Sequence, residues 1–314
     1  VDDETDKPEM GKSAVPIVGF DPTDGWIFGG AGFLYSDKMP GVNAGLFLVS
    51  NLGDFNSVTF NYEQRARGGW YLGLHIFAEQ AYDYYYGEGD LTSPYNPLVL
   101  RQDHYEAKPA IRYLLRPHLS AGVFLDFRAR RELGSQVKPN EATTALGFHL
   151  DWDTRNKLIN TRKGQFFQLD FLGKPGADAF SQETADLRNF DRLNRVLTLA
   201  SRLSAGITQD IPTYLFEYRL GGLDLMRGYQ ANRFRGDDFA VYQEELRWIL
   251  KKWVSANMSV DAGDIGDDAF HQLKVSVQAG LRIGIPPDWT QKIRLDVGLG
   301  TDQAAFVIQF GEVF

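Results

Sequence analysis

Four consecutive segments near the end of this chain alternate between apolar and polar or charged side chains, and a period of two admits few folds. In residues 239–250, Ala240, Tyr242, Leu246, Trp248 and Leu250 share one face while Gln243, Glu245 and Arg247 share the other. Val254, Ala256, Met258 and Val260 stand opposite Asn257, Ser259 and Asp261. Leu273, Val275, Val277, Ala279, Leu281 and Ile283 oppose Lys274, Gln278 and Arg282, and then Ile293, Leu295, Val297 and Leu299 oppose Lys292, Arg294 and Asp296. Successive side chains of a strand point to opposite faces, so each segment reads as a two-faced strand. A soluble sandwich would turn the charged face to water, and a membrane barrel would turn the apolar face to lipid. Parity alone does not say which face is outside.

Earlier segments follow the same format, with strands expected near 13–20, 25–36, 42–50, 56–66, 69–81, 104–115, 118–130, 142–152, 165–173, 183–192 and 195–207. With the later ones this makes about 16, an even number as bacterial outer-membrane barrels require. Tight connections fall at DPTDG, SDKMPG, ARGG and RPH, and longer ones near 82–103, 131–141, 174–182, 208–238 and 264–272. Nothing resembles a linker, so the expected organisation is a polar segment over 1–12 and one barrel domain over 13–314. The 314 residues suit a large single barrel. Helical membrane spans are excluded, because no run of about 18 apolar residues exists. A mean hydropathy of -0.30 does not exclude a barrel, whose strands average lipid-facing with lumen-facing side chains. Aromatic residues at 13% fit interfacial girdles, and the run Tyr82, Tyr84, Tyr85 and Tyr86 reads as part of an outer one.

Several kinds of chemistry drop out on composition. No cysteine is present, so neither a disulfide framework nor a thiolate metal site can form, and the absence suits an oxidising envelope. A net charge of -8 argues against nucleic acid. The acidic group Asp264, Asp267 and Asp268 lacks the spacing of a calcium loop and reads as a solvated loop, so no metal and no cofactor is expected. The five histidines are scattered, His149 with Asp151 on one inward face is too little for a site, and no G-x-S-x-G elbow occurs; an enzyme is not expected. Lys274, Arg282, Arg294 and Asp296 read as a solvated inner wall. The opening VDDETDKPEMGKS has no charged-then-apolar leader, so any signal peptide is expected to be removed or absent.

The segment GGLDLMRGY, Gly221 to Tyr229, sets an arginine among glycines between strand patterns. Arg227 held by such a loop needs carboxylate partners, and parity places Glu245 and Asp261 on the inward face of the next two strands. The chain ends on FVIQFGEVF, with Phe306, Ile308 and Phe310 at alternate positions and Phe314 last. Pro16 in the first strand lacks a donor and suits an edge.

Together these residues resemble the outer-membrane assembly barrels of the BamA and TamA type, the bacterial surface antigen family. The resemblance runs from about Pro16 to the end and is strongest from Asn189 to Phe314. It implies an all-β fold, a single transmembrane antiparallel β-barrel with an arginine loop folded into the lumen, in the bacterial outer membrane. It further implies that Arg227, Gly228 and Tyr229 form the loop motif, that Glu245 and Asp261 are its partners, and that Phe306, Ile308, Phe310 and Phe314 are the terminal-strand signal. PIVGFDPTDGWIFGG is similar to the family's first hairpin, and DTRNKLINTRKG to its inner turn. Only about a dozen polar residues precede the barrel, so periplasmic POTRA domains are not expected within the chain. Three functions stay open: an assembly-type barrel with a lateral opening between a first strand broken by Pro16 and a last strand kinked at Gly311; a porin-like or lipid-interacting oligomeric scaffold; or an anchor excised from a larger POTRA or patatin-like protein. Expected partners are outer-membrane lipids and lipopolysaccharide, with other barrel proteins or self-association, and no nucleic acid.

Overall fold

The alternating segments assemble into one antiparallel sheet. The computed structural model describes residues 10–21, 25–36, 41–87, 93, 95–133, 140–157, 160–176, 179–210, 214–222, 224–266, 272–285, 289, 292–301 and 304–310. In chain order the strands are β1 (Met10–Asp21), β2 (Gly25–Ser36), β3 (Gly41–Ser50), β4 (Asn56–Arg65), β5 (Trp70–Tyr85), β6 (Leu98–Arg116), β7 (Leu119–Glu132), β8 (Glu141–Asp153), β9 (Gly164–Lys174), β10 (Phe180–Arg192) and β11 (Leu197–Gln209). After two short strands, β12 (Tyr218–Leu220) and β13 (Phe234–Gly236), the series continues with β14 (Asp238–Lys251), β15 (Val254–Gly266), β16 (Lys274–Gly284), β17 (Lys292–Leu299) and β18 (Ala304–Phe310). All but β12 and β13 form a single 16-stranded meander in which each strand pairs with its neighbours in sequence; β12 and β13 pair only with each other. The all-β architecture and strand number agree with the sequence expectation.

Burial decides which face is outside. Met258 is 68% exposed, Leu273 66% and Trp248 54%, whereas Gln243, Glu245 and Asp261 are 0% exposed. The largest fully buried side chains are led by arginines: Arg227, Arg233, Arg235, Arg282 and Arg294. A soluble sandwich of the same alternation would bury the apolar set. The inverse suits a barrel in hydrocarbon, where apolar side chains meet lipid and the backbone is satisfied by inter-strand pairing.

Two strands run beyond their expected ends. β5 and β6 extend to Tyr85 and back to Leu98, with Asp83 opposite Leu100 and Gln80 opposite Asp103. Asp83 and Gln102, polar residues that read as loop, are buried inner-face rungs, while Asp103, opposite Gln80 and Arg131, is buried on the outward parity. Tyr82 shares the outward parity of the exposed Trp70, Leu72 and Ile76, as does Tyr84, but Tyr85 points the other way, so only part of the tyrosine run suits a girdle. At one end of the sheet most connections are short, as at 117–118 and 252–253, with 154–163 the exception; the longest, 86–97 and the segment between β11 and β14, are at the other end. β1 holds unbroken register with β2 through Pro16, opposite Gly30. Among the described residues no register joins β1 to β18, the two ends of the sheet order. Phe314 and Gly311 lie outside the described residues.

Candidate functional site

The segment between β11 and β14 lies against the polar face of the sheet, and its path is set by local backbone chemistry. Gly221 and Gly222, directly after β12, adopt φ of 104° and 101°, which glycine reaches without penalty. A Cβ at Gly221 would stand 2.1 Å from the Gln230 carbonyl oxygen, so the turn needs glycine on space as well. The Gly221 and Gly222 amides donate to the carbonyls of Leu225 (3.1 Å) and Tyr229 (3.0 Å), closing a compact turn before the chain returns through β13.

Arg227 projects from this turn onto β14 and β15. Its Nε and Nη2 donate to Asp261 Oδ2 (3.0 Å) and Oδ1 (2.7 Å), a bidentate fork, and its own backbone amide donates to Oδ2 at 2.9 Å. Nη1 donates to Glu245 Oε2 at 2.8 Å. Glu245 also receives Arg247 Nε on Oε1 (2.7 Å) and lies 3.5 Å from Arg282 Nη2. Arg282 continues to Asp296 (2.5 Å), which pairs with Arg294 at 2.6 Å. Four guanidinium groups thus share three carboxylates, a net charge of +1 by that count, in a buried region where Arg247, at 9%, is the most exposed member. Arg282, Arg294, Asp296 and Lys274 were expected on a solvated wall; they are buried, because the segment covers this part of the face. Lys274 donates to Gln272 (2.9 Å) and stands 5.4 Å from the Phe234 ring of that segment.

Gly228 and Tyr229 meet β17 and the residues just past it. A Cβ on Gly298 would lie 2.1 Å from the Arg227 carbonyl oxygen, and one on Gly228 2.6 Å from Ser276 Cβ and 2.7 Å from Gly300 N. Backbone touches backbone here. The Tyr229 ring covers Gly300, its Cζ 2.7 Å from where a Cβ would be, and its hydroxyl reaches Thr301 Oγ1 at 2.5 Å and Val275 O at 3.2 Å. Gly298 and Gly300 were missed in sequence; two glycines at alternate positions on an inward face were the available signal.

A second anchorage, also missed, holds the segment on the far side of the sheet. Arg235 Nη2 donates to both oxygens of Asp83 on β5 (3.0 and 2.8 Å), and the Tyr214 hydroxyl donates to the same carboxylate. The Tyr214 ring lies beneath three guanidinium groups, those of Arg235 (4.4 Å), Arg130 (4.7 Å) and Arg219 (5.3 Å). Phe216 packs on Phe180 with tilted rings 4.4 Å apart under Arg128, whose Nη1 donates to Leu215 O at 2.8 Å. Tyr85 packs on Tyr214 (5.8 Å) and Tyr86 donates to Gln230, which removes both from a lipid girdle. Two buried apolar clusters coincide with these contacts, one around Met226, Tyr229, Phe234 and Ile265, the other around Phe180, Leu215 and Phe216.

The remaining candidates are apart from this segment. Phe306 and Ile308 are exposed on β18, and Phe310 ends that strand. Asp264 accepts the amides of Ile265 (3.0 Å) and Gln272 (2.8 Å), while Asp267 and Asp268 lie outside the described residues. Asp151 pairs with Arg112 at 2.9 Å on the inner wall.

The Omp85 superfamily domain matches residues 100–311, well over half of the chain. The chain belongs to the Omp85 superfamily. It is therefore an outer-membrane β-barrel, in a superfamily of assembly and translocation barrels. The Omp85 fold is also found by superposition. A BamA from Haemophilus ducreyi lacking POTRA domains 1-3 matches with a TM-score of 0.62 at 14% identity, over 96% of this chain and 69% of that one. CdiB from Escherichia coli matches at 0.66 with 12% identity, over 96% and 61%, and CdiB from Acinetobacter baumannii at 0.64 with 13% identity, over 95% and 57%. This Omp85 barrel thus spans about three fifths of either CdiB chain. No curated protein matches it in sequence.

Proposed function

We propose that this chain acts as an assembly or translocation barrel whose lumen is closed by the segment Tyr214–Gly236, with polypeptide passing at the seam between β1 and β18. The supporting observation is the two-sided anchorage. One segment grips Asp83 on β5 and Asp261 on β15, the fifth and thirteenth strands of the 16-strand order and so on opposite sides of a barrel, and therefore crosses the interior. Its arginines and aromatic rings fill the section that an open porin leaves to water. At the seam, no register joins β1 to β18 among the described residues, so these two strands are the ends of the sheet order. Unpaired backbone groups in hydrocarbon are costly, and an incoming strand would satisfy them.

Planar-bilayer conductance tests the closed lumen. Wild-type protein is expected to conduct little, and Arg227→Ala combined with Arg235→Ala, which removes both grips, to conduct several-fold more. Unchanged conductance in the double variant excludes the segment from closure. A large steady conductance in the wild type would instead favour a porin-like channel.

A further inference from the structure

The chain is acidic overall, with a net charge of -8, yet the described residues of five turns at the end of the sheet that holds 117–118 and 252–253 are basic. Arg67 is exposed between β4 and β5, Arg116 at the β6–β7 turn and Lys163 before β9. Arg192 and Arg195 are exposed between β10 and β11, and Lys251 and Lys252 between β14 and β15. Among the described residues of these five turns, Asp191 is the one exposed carboxylate. Other cations at the same end have structural duties that draw them inward. Arg155 forks onto Asp153 at 3.0 and 2.8 Å, and Arg162 donates to the carbonyls of Asn194 (3.0 Å) and Arg195 (2.9 Å), stitching two turns together.

Their depth is set by tryptophan. Trp70 opens β5, Trp152 lies next to the end of β8, Trp248 near the end of β14 and Trp253 in the following turn, four of the six in the chain. All are exposed, from 38% for Trp152 to 54% for Trp248, and Lys251 Nζ is 5.8 Å from the Trp253 ring. Indole rings on a lipid-facing barrel surface settle at headgroup level. The basic residues stand just beyond them, where fixed negative charge on phospholipid headgroups attracts lysine and arginine.

We propose that this rim is a docking surface for anionic phospholipid headgroups of the adjoining leaflet. An acidic protein fits less well, because the cations are spread over turns from β4 to β15 around the perimeter instead of forming one patch, and they run alongside the tryptophan belt. The attraction is between exposed charges and is therefore screened by salt.

Native mass spectrometry of the folded barrel from micelles holding equal phosphatidylglycerol and phosphatidylcholine reads this directly. The wild type is expected to retain phosphatidylglycerol several-fold over phosphatidylcholine, with the ratio falling as salt is raised during loading. The variant R192Q/R195Q/K251Q/K252Q should bring the ratio close to one, while K251R/K252R should keep it. Heat-modifiable migration on gels checks that each variant is folded, and the salt series on the wild type needs no variant. A wild type without preference, a preference insensitive to salt, or a folded glutamine variant that keeps it overturns the proposal. Binding of polyglutamate to the rim, without lipid preference, would replace it by an acidic protein partner.

Discussion

Replacing Asp261 with leucine should destabilise the folded barrel by about 3–5 kcal/mol, the range for stripping one partner from a buried ion pair. Asp261 is fully buried and accepts three hydrogen bonds from Arg227 and a fourth from Gln278 Nε2 at 3.0 Å. Without it Arg227 keeps only Glu245, which already serves Arg247 and Arg282. Four cations would then share two carboxylates out of water. Denaturant unfolding of detergent-folded protein, followed by tryptophan fluorescence, measures the loss. Trypsin cleavage after Arg227 should appear in the variant and be absent in the wild type. Asp261→Asn, which keeps the shape and can still accept one bond, should lose less, and Arg227→Leu added to Asp261→Leu should recover part of the loss because no unpaired charge remains. A midpoint shift worth less than about 0.5 kcal/mol for Asp261→Leu would mean that the pair does not hold the segment.

Gly298→Val should expel the turn from the wall without disturbing the strand that carries the change. Even the first carbon of the new side chain would stand 2.1 Å from the Arg227 carbonyl oxygen, so the segment must move. Valine favours strands and Gly298 is paired in β17 opposite Gln278 and Ala305, so the sheet itself has little reason to object. The expected cost is about 1–3 kcal/mol of overpacking, together with protease access to Arg227. The informative comparison is with Asp261→Leu. If both act by releasing the same turn, Gly298→Val in the Asp261→Leu background should be nearly neutral, and additive losses would refute a shared contact.

How legible each part was in the sequence follows from the range of the interaction that makes it. Strand number and the assignment of Gln243, Glu245, Asp261 and Arg282 to one face are period-two properties, visible in any ten-residue window. Which face meets lipid is not, since a sandwich and a barrel share the alternation; the exposed Met258 and Leu273 supply it. The ends of β5 and β6 were misjudged because Asp83, Gln102 and Asp103 look like loop residues until the opposing segment is in place. The grip of Tyr214 on Asp83 joins residues 131 apart, and that of Arg235 on Asp83 residues 152 apart. No local pattern announces such a pair. The short ladder of β12 and β13, three residues each, is likewise below the length at which alternation can be recognised.

The two-sided anchorage of Tyr214–Gly236 also carries a kinetic consequence. The Arg227 grip joins residues 18 and 34 apart on β14 and β15, whereas the Arg235 grip on β5 joins residues 152 apart, so the segment as a whole cannot settle until strands from both halves of the meander stand face to face. Contacts of such long sequence separation form late, after their loop-closure entropy has been met by the sheet. Docking of the segment therefore reports completion of the barrel: a chain halted before β15 would leave Arg227 accessible to protease, and protection at that one bond would time the last step of folding.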